Sequence, residues 1–330
     1  MKLKDNKILV TGGAGFIGSH LAKRLAEDNF VRVVDDFSTG SWDNLGSLTG
    51  RPNVEIIEGT ITDSEACREW CSGADLVFHL AVSCLRTSLN DPLASHDVNA
   101  GGSLNLCRAA QACAVDRFVY VSSSEVYGTA LAPPMAEAHP REPTTVYGAA
   151  KLAGELYAQA YLRTYGLKTI IVRPFNTYGP REPWQGKRAE VIPRFILRML
   201  AGQPPVIFGD GAQTRDFTYV DDTVQGLILA AACDRLVGQA INIARGREIS
   251  ISRITTLIGE MLGVELPAET APARPGDVMR HWADVSMARD LLGFEARTDI
   301  TEGLARSIDW FKAAAAERGL TCAQAGEANW

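Results

Sequence analysis

No stretch of this chain approaches the roughly 18 consecutive apolar residues that a membrane-spanning helix needs, so no membrane partner is expected. Positive charge is in deficit: 33 Lys and Arg against 39 Asp and Glu leave a formal net charge of −6. That balance argues against a general nucleic-acid or anionic-membrane surface. A phosphate ligand would have to be met by locally placed Arg or by backbone amides. Cysteine is sparse and odd in number, seven in 330 residues, scattered from Cys67 to Cys322. With no secretory signal at the N-terminus, the scatter reads as reduced thiols of a cytoplasmic protein. Histidine is scarcer, five and dispersed, and Cys67 and Cys71 have no second pair at ligand spacing, so no metal is expected. What is present is ordinary: 46% hydrophobic, 22% charged and 8% aromatic residues, enough for a sizeable core in one large or two moderate domains.

Strands and helices alternate through the first half. Apolar runs at 7–11, 31–35, 54–58, 75–80, 118–122 and 169–173 predict six strands. Helical runs from Phe16 to Asp28, Asp97 to Cys113 and Ala149 to Tyr165 supply crossovers. The pattern predicts an α/β fold, a Rossmann-like doubly wound parallel sheet covered on both faces. After Arg173 the texture changes, with Pro174, Pro180, Pro183, Pro193, Pro204 and Pro205 breaking the alternation. The expectation is a cofactor domain over 1–175 and a smaller α/β substrate lobe over 176–330, with about 216–245 packing back on the first domain.

Gly12, Gly15 and Gly18 stand between the first strand and its helix, with Phe16 and Ile17 inside the motif. Glycine there permits a tight turn and close approach of a pyrophosphate to the helix N-terminus. The second strand ends in Asp35, seventeen residues beyond Gly18, followed by Asp36. An acidic group at that point hydrogen-bonds both ribose hydroxyls of NAD and repels the 2′-phosphate of NADP. NAD is the expected cofactor.

Tyr147 and Lys151 lie four apart at the start of a predicted helix and share one face. The ammonium is expected to lower the phenol's pKa and to hold the nicotinamide ribose, making Tyr147 a usable base. Ser122, Ser123, Ser124 and Glu125 follow the fifth strand, on the edge where open α/β sheets bind ligands. A hydroxyl there can bond the reacting alcohol.

With these residues the chain resembles the extended short-chain dehydrogenase/reductases, and among them the NAD-dependent nucleotide-sugar epimerases and dehydratases. The resemblance covers nearly the whole length. It rests on Thr11 to His20, His79-Leu80-Ala81, Tyr147 to Lys151, Arg173 to Pro180, Thr214 to Val220 and Arg274-Pro275-Gly276-Asp277. It implies Tyr147 as catalytic base, Lys151 as its partner and Ser123 as the hydroxyl completing the triad. It extends the cofactor set to Thr60, Ile61, Leu80, Ala81, Asn99, Ser122 and Pro174, although Thr60 stands where the family often carries Asp. Ser124, Asn176, Arg215, Arg274 and Asp277 are the implied substrate residues, the two arginines putting cations where a nucleotide diphosphate needs them. A homodimer through the helices near 97–113 and 149–165 is implied as well. Cys84, in the loop from Val82 to Arg86, reads as a buried inert thiol, with contact to the substrate as the alternative.

The resemblance also implies a shared first step, oxidation of the sugar at C4 to a 4-keto intermediate, after which the routes divide. An epimerase returns the hydride to the opposite face; a 4,6-dehydratase removes the C5 proton and loses water; a decarboxylase loses a uronic carboxyl group. Many 4-epimerases resembling this chain carry a small neutral residue at the position of Glu125, dehydratases carry Asp-Glu, and decarboxylases carry Ser-Glu, as Ser124-Glu125 does here. Ser124 cannot supply the acid that a dehydratase's Asp gives to the departing hydroxyl. For a C6 carboxylate the arginines on offer are Arg86, Arg181 and Arg188. The expectation is a UDP-sugar 4-epimerase. The alternatives are a 4,6-dehydratase with Glu125 as C5 base, a UDP-glucuronate decarboxylase, or a catalytically inactive NAD-binding scaffold.

Overall fold

The run Ile8-Leu9-Val10 is apolar on both faces, and as a strand it can be stable only inside a sheet covered on both sides. A computed structural model, which describes residues 2–273 and 278–320, puts it there. Arg274 and Asp277 lie outside the described residues. The sheet strands in chain order are β1 (Lys7–Thr11), β2 (Phe30–Asp35), β3 (Val54–Glu58), β4 (Leu76–His79), β5 (Arg117–Val121), β6 (Thr169–Pro174) and β7 (Ala240–Ile243). They lie in the order β7-β6-β5-β4-β1-β2-β3, every neighbouring pair parallel. This is the Rossmann-like doubly wound sheet, and strand order reverses between β1 and β4, where such sheets open a crevice at their carboxyl ends.

β7 is the strand that alternation did not reveal. It is four residues long and interrupted by Asn242, a polar residue that is fully buried because its amide is satisfied: Oδ1 accepts from the Tyr127 hydroxyl at 2.7 Å and Nδ2 donates to Met135 O at 2.9 Å. The helix before it, Val220–Ala232, sends Val224, Leu227, Ala230 and Ala231 into the same core as Ile241 and Ile243.

β4 ends in a buried histidine. Ser103 Oγ donates to Asn99 O at 2.6 Å, so it accepts from His79 Nε2, and His79 Nδ1 accepts from the Thr11 hydroxyl, each at 2.9 Å. Burial holds His79 well below the ordinary histidine pKa, and the neutral ring ties β1, β4 and helix Ser103–Ala112 together. That helix is shorter than expected because Asp97–Gly102 is wound as a π-helix.

Helices Val191–Leu200, Ile251–Leu262 and Ile300–Arg318 build a separate core from Ile192, Phe195, Ile196, Ile254, Ile258, Leu304, Ile308 and Phe311. Short strand pairs join them, Thr214–Arg215 antiparallel to Ile249–Ser250 and Val206–Phe208 parallel to Glu269–Ala271. Among the described residues no helix is long and apolar enough to cross a membrane.

Candidate active site

The Gly12 to Gly18 turn is shaped by contacts no side chain could replace. Gly12 has φ 70°, and a Cβ on it would lie 2.6 Å from Ala81 N. A Cβ on Gly18 would lie 2.1 Å from Gly12 O, so Gly18 lets helix Phe16–Leu25 press on the turn. Gly15 meets only Gly12 O, at 3.2 Å, and caps the helix without a side-chain bond, leaving first-turn amides to face the cleft. Asp35 at the end of β2 holds the turn from beside it, accepting from Ala14 N and Phe37 N at 2.9 Å each. Its burial pushes the carboxyl up, opposed by those amides.

The turn opens into a cleft of about 1090 Å³ between the sheet and the second core. It is lined by Gly12, Gly15, Phe16, Ile17, Gly18, Asp35, Asp36, Thr60, Ile61, Leu80, Ala81, Ser122 and Pro174, together with Ser123, Ser124, Glu125, Tyr147, Lys151, Asn176 and Arg215. Asn99 is the exception among the expected residues within the described chain. It does not line the cleft, because its amide is spent on the adjoining loop: Oδ1 accepts from Ser83 N at 2.8 Å and Nδ2 donates to Ser83 O at 2.9 Å. Cys84, expected to be buried, is half-exposed on the cleft, with Sγ 3.3 Å from the Thr87 hydroxyl.

Helix Val146–Tyr165 carries Tyr147 and Lys151, and Thr145 caps it by accepting from Gly148 N at 3.0 Å. Tyr147 and Ser123 both line the cleft, and Ser123 Oγ accepts from Glu125 N at 3.2 Å. Lys151 Nζ donates to Val121 O at 2.7 Å and sits 4.5 Å from the centre of the Tyr120 ring. Burial pushes Tyr147 well above the ordinary phenol pKa, with the Ser123 bond pulling down and the Glu125 charge adding to the rise. Burial also pushes Lys151 down to about 7, against the pull of Glu155. The ammonium is directed at a sheet carbonyl, and desolvation outweighs any help it gives the phenol.

Two buried polar atoms on the cleft wall, Ser122 Oγ and Asn176 Oδ1, have no partner among the described residues. Buried polar groups are rarely left so unless a ligand completes them. Arg215 Nη1 donates to Thr214 O at 2.8 Å and Val278 O at 2.6 Å, which aims its guanidinium from the second core into the cleft. His281 is a lining residue that sequence reasoning missed. Burial, and then the Arg215 charge, push it down to about 3, so the ring is neutral, and it bonds the Ser124 backbone. Its only signal was its place four residues after Asp277.

Residues 8–244 match the model of the NAD-dependent epimerase/dehydratase family. The chain belongs to that family. The UDP-glucose 4-epimerase of Mycolicibacterium smegmatis is 36% identical over 310 residues, 93% of this chain and 98% of that protein. The structure of UDP-glucose 4-epimerase with UDP-glucose from Thermotoga maritima matches with TM-score 0.88 and 35% identity, covering 93% of this chain and 99% of that one. UDP-glucuronic acid 4-epimerase from Bacillus cereus, in complex with UDP-glucuronic acid and NAD, matches with TM-score 0.86, 32% identity and the same coverage. As a member of this family the chain is an NAD-dependent enzyme. The cleft fits the cofactor by its own geometry, through the open face of Gly15, the uncapped amides of the helix, Asp35 at the end of β2 and the unpartnered Ser122 hydroxyl.

Proposed function

We propose that this protein is a UDP-sugar 4-epimerase that works through a transient 4-keto sugar, with Tyr147 as its base. The observation that carries this reading is that Ser123, Tyr147 and Lys151 line the same cleft as the glycine turn and Asp35. Identity to enzymes named as UDP-glucose 4-epimerases over nearly the full chain supports it.

NAD, when bound, supplies a reversible hydride acceptor for the sugar C4 carbon. The protein supplies the rest. Amides of the Gly12 to Gly18 turn receive the pyrophosphate, and Asp35 receives the adenosine ribose. Ser123 holds the C4 hydroxyl, and Tyr147 takes its proton during oxidation and returns it during reduction on the other face. Lys151 orients the cofactor's second ribose and carries charge near the phenol. Asn176 and Arg215, with Arg274 and Asp277, bind the nucleotide diphosphate.

Incubation with UDP-glucose, UDP-N-acetylglucosamine and dTDP-glucose in heavy water tests the reading. An epimerase yields a C4 epimer of unchanged mass without deuterium. The closeness of Glu125 to Tyr147 favours one second reading, dehydration with Glu125 as C5 base, which would appear as loss of water with one deuterium gained.

The working unit of this reading is a homodimer. Leu93 is 74% exposed and Leu156 49%, and with Leu104 and Tyr165 they leave helices Pro92–His96, Ser103–Ala112 and Val146–Tyr165 with an apolar outer face. A cytoplasmic location accords with the free thiols of the six described cysteines.

A further inference from the structure

Residues 180–190 run along the cleft to the start of helix Val191–Leu200 in the second core. Trp184 packs against that core, and Trp184, Gln185 and Arg188 line the cleft. The segment is tied to the sheet-bearing half at three places. At its start, His20 Nε2 donates to Pro180 O at 2.9 Å and Arg181 Nη1 donates to Asn44 O at 2.8 Å. Further along, Arg188 Nη1 donates to Ser38 O. At its end, Arg86 Nη1 donates to Arg188 O at 3.3 Å, and Arg86 forks Glu190, Nη1 to Oε1 at 2.7 Å and Nη2 to Oε2 at 3.0 Å.

The anchors come from separate stretches that surround the cofactor end of the cleft. His20 is on helix Phe16–Leu25, which follows the glycine turn. Ser38 and Asn44 follow Asp35 at the end of β2, and Arg86 follows β4. Ser38, Asn44, Arg86 and Arg188 all line the cleft. The Arg188–Ser38 bond therefore joins the second core's side of the cleft to the segment just beyond Asp35, and the whole run forms a bridge between the two walls.

We propose that residues 180–190 are a strap that gates the passage of NAD, with Arg188 as its latch on Ser38. The inference rests on the cofactor site alone and is independent of the choice of sugar. The latch joins protein to protein, so breaking it lowers the barrier to opening whichever way the cofactor moves. Association and dissociation should quicken together, with little change in Kd. A side chain that held NAD directly would behave otherwise, because its loss acts mainly on release and weakens Kd by the same factor.

The test measures NAD release from the loaded protein, by exchange against isotopically labelled NAD, and Kd by calorimetric titration of the cofactor-free protein. The wild type is compared with Arg188→Ala and Arg188→Lys. Arg188 is exposed, so Arg188→Ala should keep the wild-type Tm. The expected result is release about tenfold faster in Arg188→Ala, the scale of one charge-assisted hydrogen bond, with Kd unchanged. Arg188→Lys keeps a cationic donor for Ser38 O and should release NAD at close to the wild-type rate. Unchanged release in Arg188→Ala would overturn the proposal. Faster release matched by an equal loss of affinity would also overturn it, by making Arg188 a direct ligand of the cofactor. A fallen Tm would overturn it as well, by making the bond part of the fold. Absence of turnover of every UDP-sugar, with these rates as expected, would sink the epimerase reading and leave this inference standing.

Discussion

At the scale of single residues, the site depends on two groups that burial pushes in opposite directions. Tyr147 must lose a proton that desolvation makes it hold, and Lys151 must keep one that desolvation makes it lose. Tyr147→Phe removes only the hydroxyl and should lower kcat by about 10²–10⁴-fold. Bound NAD, assayed by mass spectrometry of the released cofactor, should stay at the wild-type amount. Lys151 also makes stability depend on pH. Its folded pKa is depressed to about 7, while the unfolded value is near 10.4, so between these limits the unfolded chain binds the extra proton. Stability therefore rises with pH across that window, by on the order of 1.4 kcal/mol per unit, and the burial penalty is fully present below pH 7. Urea titrations of the NAD-free protein at pH 7 to 10 should show this slope in the wild type relative to Lys151→Met; parallel curves would refute it.

At the scale of elements, the catalytic helix is pinned to the sheet by one buried ion pair. Arg173 on β6 donates from Nε and Nη2 to Glu155 Oε1 and Oε2 at 2.8 and 2.7 Å, and from Nη1 to the Tyr127 hydroxyl at 2.8 Å. Arg173 is 1% exposed and Glu155 fully buried. Removing Arg173 leaves the buried Glu155 with only the longer contact to Arg141 at 3.8 Å, so Arg173→Met should cost about 3 kcal/mol in denaturant unfolding. Because Glu155 lies one turn beyond Lys151, the loss should also disturb activity. A stability change under 1 kcal/mol would show that the pair does not hold the helix. Gly18→Ala tests the other end of the cleft. Its methyl would meet Gly12 O at 2.1 Å, so the turn must deform, and NAD binding should weaken together with a stability loss of about 1–3 kcal/mol.

At the scale of the whole molecule, the cleft is a joint product of two cores, one under the sheet and one among the later helices. The exposed Leu156 lies on the catalytic helix, so in the proposed homodimer assembly and chemistry would share that helix. Leu156→Glu should convert the dimer to a monomer in light scattering while NAD stays bound; a wild-type protein that is already monomeric would remove the dimer from the reading. The sequence by itself determined the sheet, because buried parallel strands are continuous apolar runs. It also determined the glycine turn, Asp35 and the Tyr147 to Lys151 spacing, because those are local patterns along one strand end or one helix turn. β7 was hidden because its buried Asn242 interrupts a short run, and only the tertiary hydrogen bonds of Tyr127 and Met135 make that burial tolerable. Tertiary structure alone decided that Asn99 serves the Ser83 loop, that Lys151 faces a carbonyl, and that Arg86 is closed off by a glutamate 104 residues away. Those are partnerships between distant segments, and the energy that selects them exists only once the chain has packed them side by side.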